Sequence, residues 1–151
     1  MKLVSEIGDK LGLGGIIFLA VHGLERKDSF IGAFAFCLSV TVTGVLKLFH
    51  AEGRPYFLNS NLHPSSCSME YGNPSGHSCV TTCVYITLYF SLMVKNLKIK
   101  SKICLFSGLI GVIGFISIVA FSRAYNGAHS YDQLLNGFVI GLLLAFIITS
   151  E

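Results

Sequence analysis

Long apolar runs alternate with short polar connections along most of this chain. Four runs are long enough, at roughly 17 to 20 residues, to cross a hydrocarbon core of ~30 Å as helices. They extend from Phe30 to Phe49, from Ser78 to Val94, from Ile103 to Phe121 and from Leu134 to Ser150. A fifth run, Leu11 to Leu24, is shorter and glycine-rich. We interpret it as a further span, with a re-entrant or interfacial segment as the alternatives.

This pattern predicts an all-α fold, a polytopic membrane helix bundle with about five transmembrane helices. Composition supports the prediction, because 52% of the residues are hydrophobic and only 13% are charged, whereas about a quarter are charged in a typical soluble domain. A cleaved signal peptide is the alternative for the N-terminal run, but Glu6 and Asp9 lie where such a peptide is basic. We therefore treat residues 1–151 as a single membrane-embedded domain.

The polar connections predict how the bundle is oriented. The stretch between the second and third long runs contains Lys95, Lys98, Lys100 and Lys102 and no acidic residue. By the positive-inside rule this connection belongs in the cytoplasm. The connections at residues 50–77 and 122–133 then face the opposite, non-cytoplasmic side. Because the net charge of +3 comes largely from this one lysine cluster, nucleic acid is not expected as a partner.

Three basic residues lie on the predicted non-cytoplasmic side, against the usual preference. Arg54 and Arg123 are in the two connections, and Lys47 is in the last turn of the preceding helix. Lys47 alone would be interpreted as a terminal lysine that extends to the interface. Together with two arginines on the same side, it favours an anion site, because guanidinium forks and an ammonium suit the oxygens of a tetrahedral dianion.

Three short motifs contain these basic residues. They are Lys47 followed by six residues and Arg54-Pro55, the tetrapeptide PSGH at 74–77, and Ser122-Arg123 followed by five residues and His129. In this order they resemble the signature of the type 2 phosphatidic acid phosphatase and haloperoxidase superfamily, over residues 47–141. Members commonly have six spans, so the resemblance implies that this chain lacks an N-terminal span or further C-terminal ones.

Elementary chemistry and the resemblance together assign roles to the site residues. A pair of imidazoles can provide both a nucleophile for phosphorus and an acid for the leaving oxygen near neutral pH. The resemblance implies that His129 is the nucleophile and that His77 is the general acid. Anion binding is assigned to the three basic side chains and to the helix start after the proline. The expected phosphate-binding residues are Lys47, Arg54, Ser75, Gly76 and Arg123.

One position departs from the family pattern. The resemblance implies an Asp four residues after the nucleophilic histidine, where it would accept the ring N–H. This chain has Gln133 at that position and Asp132 one residue earlier. A Gln carbonyl can accept the same hydrogen bond, although it stabilises an imidazolium less than a carboxylate does. Both residues remain candidates for the catalytic set, and for Asp132 a charge in the first turn of a helix is the alternative.

The sequence thus predicts an integral membrane phosphatase that works without a metal or other cofactor. No metal-binding spacing such as HExxH is present. We expect a lipid phosphate as substrate and membrane lipids as neighbours, with a sugar phosphate, as in glucose-6-phosphatase-like members, as the alternative. A haloperoxidase, a phosphotransferase and a non-enzymatic relative are the rival functions.

Some features leave the interpretation open. Glu52 and Glu70 lie in the connection that contains PSGH, where either of them is a candidate for gating access or balancing the cationic site. Gly137 and Gly141 form a G-x-x-x-G, which favours close helix packing, with homodimerisation as the alternative.

Overall fold

Helices form every regular element in the part of the chain that the structure describes. The structure is a computed structural model, and it describes residues 26–59, 68–96 and 100–150. The helices are α1 (Arg26–His50), the short α2 (Pro55–Leu58), α3 (Gly76–Tyr89), α4 (Lys102–Tyr125) and α5 (Tyr131–Thr149). A π-helical segment, Phe90–Asn96, continues α3.

The four predicted long spans are confirmed as helices. α1, α3 with its π-helical continuation, α4 and α5 are each long and apolar enough to cross a membrane. The described part of the chain is therefore all-helical, as expected of an integral membrane protein. The predicted run Leu11 to Leu24 lies outside the described residues.

The helices extend beyond the apolar runs at their polar ends. α1 begins at Arg26 rather than Phe30, and α4 continues to Tyr125 rather than ending at Phe121. The N-terminal end of α5 is at Tyr131, three residues before the predicted start. Hydropathy follows the part of a helix that lies in hydrocarbon, whereas hydrogen bonding continues into the polar turns at each end.

α3 lies at the centre of the bundle. It packs against α5 most extensively, and α1 and α4 each pack mainly against α3 rather than against each other. Half of the apolar window of α3 is buried, compared with 11% for α4. α4 instead exposes a face of large apolar side chains such as Ile103, Phe106 and Ile110, as expected for a helix whose solvent is lipid.

Two glycines bring α5 into close contact with α3. A Cβ atom on Gly137 would lie 2.5 Å from the carbonyl oxygen of Ser75, and one on Gly141 would lie 2.6 Å from that of Cys79. Real Cβ atoms do not approach a backbone oxygen this closely, so any larger residue would push the helices apart. The G-x-x-x-G thus packs two helices of one chain.

A buried polar contact joins α1 and the far end of α3. The hydroxyl of Ser91 donates a hydrogen bond to Oδ1 of Asp28, 2.5 Å away, and both residues are buried. Ser91 belongs to the π-helical segment and Asp28 to the first turn of α1. This contact fixes the two helices at the end opposite the cavity described below.

Candidate active site

A cavity of about 850 Å³ lies between α1, α3 and α4. Its volume is within the range that small-molecule sites usually have. Its polar part is at the C-terminal ends of α1 and α4 and the N-terminal end of α3, and its apolar part continues along the three helices. The charged and imidazole side chains that line it are Lys47, Arg54, Glu70, His77, Arg123 and His129.

The three predicted cations meet at this cavity from three different elements. Lys47 comes from the last turn of α1, Arg54 from the residue before α2, and Arg123 from near the C-terminal end of α4. Pro55 follows Arg54 and favours the extended backbone observed there, with φ −79° and ψ 155°. Arg54 and Arg123 are both buried. Two buried guanidinium groups and a partly exposed ammonium give the cavity a strongly positive end.

Glu70 is the acidic residue that lines the cavity. Its Oε2 lies 2.5 Å from Lys47 Nζ and 4.0 Å from a terminal nitrogen of Arg54. The hydrogen bond and charge of Lys47, with a smaller effect of Arg54, hold the pKa of Glu70 below its ordinary value. Glu52 has a different environment, because its Oε2 accepts a hydrogen bond from Asn73 Nδ2 at 2.5 Å. Of the two acids considered from sequence, Glu70 therefore contacts the cations.

His129 is held by acceptors on one side of its ring. It follows the turn that ends α4, where Gly127 has a φ of 64°, and it is only 3% exposed. Its Nδ1 lies 3.0 Å from the carbonyl oxygen of Gly72 and 3.3 Å from Oε1 of Gln133. Both partners are acceptors, so Nδ1 carries the proton and Nε2 keeps its lone pair.

The surroundings of His129 also keep the ring uncharged. Burial, with the positive charges of Arg54 and Arg123, lowers the pKa of His129 to about 3, although the hydrogen bond with Gln133 acts in the opposite direction. At neutral pH the imidazole is therefore neutral, with Nε2 unprotonated. This is the form of histidine that attacks an electrophile.

The amide of Gln133 is fixed in orientation by three contacts. Its Nε2 donates to the carbonyl oxygen of Gly53 at 3.0 Å, and its Oε1 accepts from the backbone N–H of Ser130 at 3.3 Å and faces His129. Gln133 is 1% exposed. A Cβ atom on Gly72 would lie 2.6 Å from Oε1 of this amide. The backbone at position 72 thus supplies an acceptor to His129, and the lack of space for a side chain requires glycine there.

The N-terminal end of α3 is at Gly76. Ser75 is the residue before the helix, where its Oγ accepts from Ser78 N at 3.5 Å and its own N–H donates to Gln133 O at 2.9 Å. Gly76 and His77 line the cavity, whereas Ser75 is fully buried and does not. Gly76 faces Lys47, because a Cβ atom there would lie 3.9 Å from Nζ. Ser75 thus caps the helix, and its predicted role as a phosphate ligand stays a prediction.

Comparisons with known proteins identify the family of the chain. The sequence model of the PAP2 superfamily matches residues 29–150. The chain belongs to the PAP2 superfamily. A crystal structure of a transmembrane PAP2-type phosphatidylglycerolphosphate phosphatase from Bacillus subtilis is similar, with a TM-score of 0.82 and 28% identity, over 99% of this chain and 73% of that one.

Two curated relatives match most of the chain. Phosphatidylglycerophosphatase B of Bacillus subtilis is 34% identical over 139 residues, which is 89% of this chain and 56% of that protein. Dolichyldiphosphatase of Saccharomyces cerevisiae is 31% identical over 124 residues, 79% of this chain and 49% of that protein. The chain thus spans about half the length of these two relatives.

In this PAP2 member the two candidates for the Asp position are placed differently. Gln133 is buried against His129, whereas Asp132 is exposed in the first turn of α5 and does not line the cavity. Neighbouring residues on a helix point about 100° apart, so only one of them can face the histidine. The predicted catalytic role of Asp132 has no contact in the described residues that supports it.

Sequence reasoning missed two acceptors of the site, the carbonyl groups of Gly53 and Gly72. Backbone acceptors have no residue type of their own, although a glycine at position 72, next to a motif, was a weak signal. The sequence did predict the charged and imidazole residues that line the cavity. It did not distinguish Glu70, which lines the cavity, from Glu52, which does not. Within the described residues, no three His, Cys, Asp or Glu side chains are grouped as metal ligands.

Proposed function

We propose that this protein is a membrane phosphatase that hydrolyses lipid phosphate esters through a phosphohistidine on His129. The observation that carries the proposal is the protonated Nδ1 of His129 against Gly72 O, which leaves an unprotonated Nε2 in a cavity lined by three cations. A neutral nucleophile beside fixed positive charge suits attack on a phosphate dianion.

The reaction then proceeds in two steps that the same residues share. In the first, Nε2 of His129 bonds to phosphorus, the ester P–O bond breaks, and His77 gives its proton to the leaving oxygen. In the second, water attacks the phosphohistidine, His77 takes a proton from that water, and inorganic phosphate leaves with Nε2 restored. Lys47, Arg54 and Arg123 hold the non-bridging oxygens and stabilise the charge that develops on them.

The shape of the cavity supports a lipid substrate. Its lining on α1 runs from Lys47 back to Phe36, which is about 16 Å along the helix axis. Val80, Tyr85 and Phe115 line the same apolar part. Since α1 and α4 pack mainly against α3, the cavity has room between them for an acyl or prenyl chain that stays in the membrane. The names of the relatives, a phosphatidylglycerophosphatase and a dolichyldiphosphatase, point to the same substrate class.

The site is expected on the non-cytoplasmic face. The polar end of the cavity lies at the N-terminal end of α3, and the connection to α4 follows the other end of that helix in the sequence. That connection includes Lys100 and is followed by Lys102, so the positive-inside rule assigns it to the cytoplasm.

Phosphate release in detergent micelles tests the proposal. The substrates are phosphatidate, a sphingoid base phosphate, a polyprenyl diphosphate and glucose 6-phosphate, each with EDTA present. We expect release from the lipids that survives EDTA and is lost in His129→Ala. His50→Ala is the matched control, because His50 is exposed at the end of α1 and does not line the cavity. Release from glucose 6-phosphate alone would contradict the lipid assignment, and release that EDTA abolishes would contradict the metal-free route.

A further inference from the structure

Glu70 places a carboxylate among the cations that are proposed to bind phosphate. Among the residues that line the cavity, the side chains with a fixed charge are Lys47, Arg54, Arg123 and Glu70. We propose that Glu70 sets the specificity of the site, favouring a phosphomonoester head group over a diphosphate. This proposal rests on the function proposed above, since it concerns the substrate of the same site.

The position of Glu70 is set by the backbone as well as by its side chain. Arg54 Nε donates a hydrogen bond to the carbonyl oxygen of Glu70 at 2.9 Å. Two residues earlier, the carbonyl oxygen of Ser68 accepts a hydrogen bond from the hydroxyl of Tyr56 at 2.7 Å. The segment before α3 is therefore attached to the segment around α2. These hydrogen bonds hold the backbone of Glu70 beside the cation cluster.

The charge of Glu70 favours the ligand that carries fewer negative charges. The carboxylate lowers the positive charge of the cavity by one, whichever charge the two imidazoles carry. A phosphomonoester carries a charge of about −2 near neutral pH, and a diphosphate carries roughly one negative charge more. Charge complementarity of this kind discriminates between ligands because an unmatched like charge is repelled inside the site. With Glu70 present, the additional phosphate of a diphosphate meets a carboxylate.

The position of Glu70 also disfavours a diphosphate. Oε2 of Glu70 lies against Lys47 and 4.0 Å from Arg54, so it occupies part of the space between two phosphate-binding side chains. The side chain of Glu70 is 67% exposed, on the open side of the cluster. A second phosphate group that extends from the site toward this open side would approach the carboxylate. Because water screens an exposed charge, we expect a discrimination of about fivefold and not of several orders of magnitude.

The experiment compares two substrates that share one polyprenyl chain, the monophosphate and the diphosphate, in the same micelles. The readout is the ratio of kcat/KM for the diphosphate to that for the monophosphate. In Glu70→Gln this ratio should rise about fivefold, because the variant keeps an oxygen acceptor for Lys47 and loses the charge. Glu70→Asp keeps the charge and should stay near the wild-type ratio. Glu52→Gln is the control, because Glu52 is an acid of the same connection that does not line the cavity.

The outcomes separate this proposal from the function on which it rests. An unchanged ratio in Glu70→Gln, or an equal rise in Glu52→Gln, overturns the role of Glu70. If Glu70→Gln accelerates the reaction of both substrates by the same factor, the role in specificity is also overturned. Glu70 would then only compete with phosphate for the cations. Absence of hydrolysis in the wild type overturns the proposed function. The role of Glu70 is then decided by thermal shifts with inorganic phosphate and pyrophosphate, where Glu70→Gln should bind pyrophosphate about fivefold more favourably relative to phosphate.

Discussion

The carbonyl oxygen of Gly72 lies 3.0 Å from Nδ1 of His129. The two residues are far apart in the sequence, one before α3 and the other before α5, and the contact joins the two connections that form the site. A neutral backbone acceptor fixes the ring tautomer without adding a negative charge beside the proposed phosphate site. This relationship explains how a PAP2 member with Gln in place of the expected Asp retains an oriented histidine.

Gln133→Ala is predicted to lower kcat by up to about 100-fold with a smaller change in KM, since it removes a side chain that orients His129, the proposed nucleophile, and a small misplacement of a reacting group costs on this order. We expect a smaller loss of kcat than for a histidine with a single hydrogen-bond acceptor, because Gly72 O still accepts from Nδ1 of His129. Steady-state kinetics with a lipid phosphate measure it. Asp132→Asn provides the comparison, and a larger loss in Asp132→Asn than in Gln133→Ala would assign the orienting role to Asp132.

Gly72→Ala is predicted to reduce kcat and thermal stability together. The new Cβ atom would lie 2.6 Å from Oε1 of Gln133, so the amide or the segment around residue 72 must shift, and the acceptor of His129 shifts with it. Overpacking of this kind typically costs about 1–3 kcal/mol. Gly111→Ala is the matched control, because a Cβ atom there meets nothing within 4 Å. Wild-type activity in Gly72→Ala would contradict the need for this close approach.

Gly137→Ala is predicted to destabilise the bundle by about 1–3 kcal/mol. The added Cβ atom would lie 2.5 Å from Ser75 O, so α5 must move away from α3. These two helices share the most extensive contact of the bundle. Thermal unfolding in detergent measures the loss. Gly114→Ala introduces the same methyl group where nothing lies within 4 Å, and it should leave the unfolding temperature nearly unchanged. Because alanine favours a helix more than glycine does, equal losses in the two variants would contradict the role of this close approach.

His129 is predicted to stay neutral from about pH 8 to about pH 5. Burial and the two nearby guanidinium groups lower its pKa to about 3, and a histidine with a lowered pKa takes up its proton only at a correspondingly lower pH. Nitrogen-15 NMR of labelled histidine shows this directly, and the signal is assigned by its loss in His129→Ala. The expected signal is that of a ring protonated at Nδ1 alone. Titration near the ordinary value of 6.5 would contradict the described environment.

The sequence predicted the parts of the fold that depend on hydropathy and on the order of motifs along the chain. The four spans followed from hydropathy, and the meeting of Lys47, Arg54, His77, Arg123 and His129 at one cavity followed from motifs at helix ends on one side. Helix ends were less well predicted, because polar turns such as the one at Arg26 lie outside the hydrocarbon pattern.

The parts that sequence did not provide depend on the folding of the connections. Glu52 and Glu70 are equivalent acids in the sequence, and only the path of the segment before α3 directs Glu70 to Lys47 and Glu52 to Asn73. The choice of Gln133 over Asp132 depends on which residue of the first turn of α5 faces inward. The acceptor for His129 at Gly72 is a backbone carbonyl, and because every residue has one, the residue type does not reveal it.

The most direct measurement is a search for phosphate bound covalently to His129 during turnover. The enzyme is mixed with a lipid phosphate labelled in its phosphate group and stopped with alkali, because phosphohistidine survives base. The account predicts a labelled peptide that contains His129 in the wild type and in His50→Ala, and no label in His129→Ala. Turnover of the lipid without any labelled histidine, or a label that remains in His129→Ala, would contradict it.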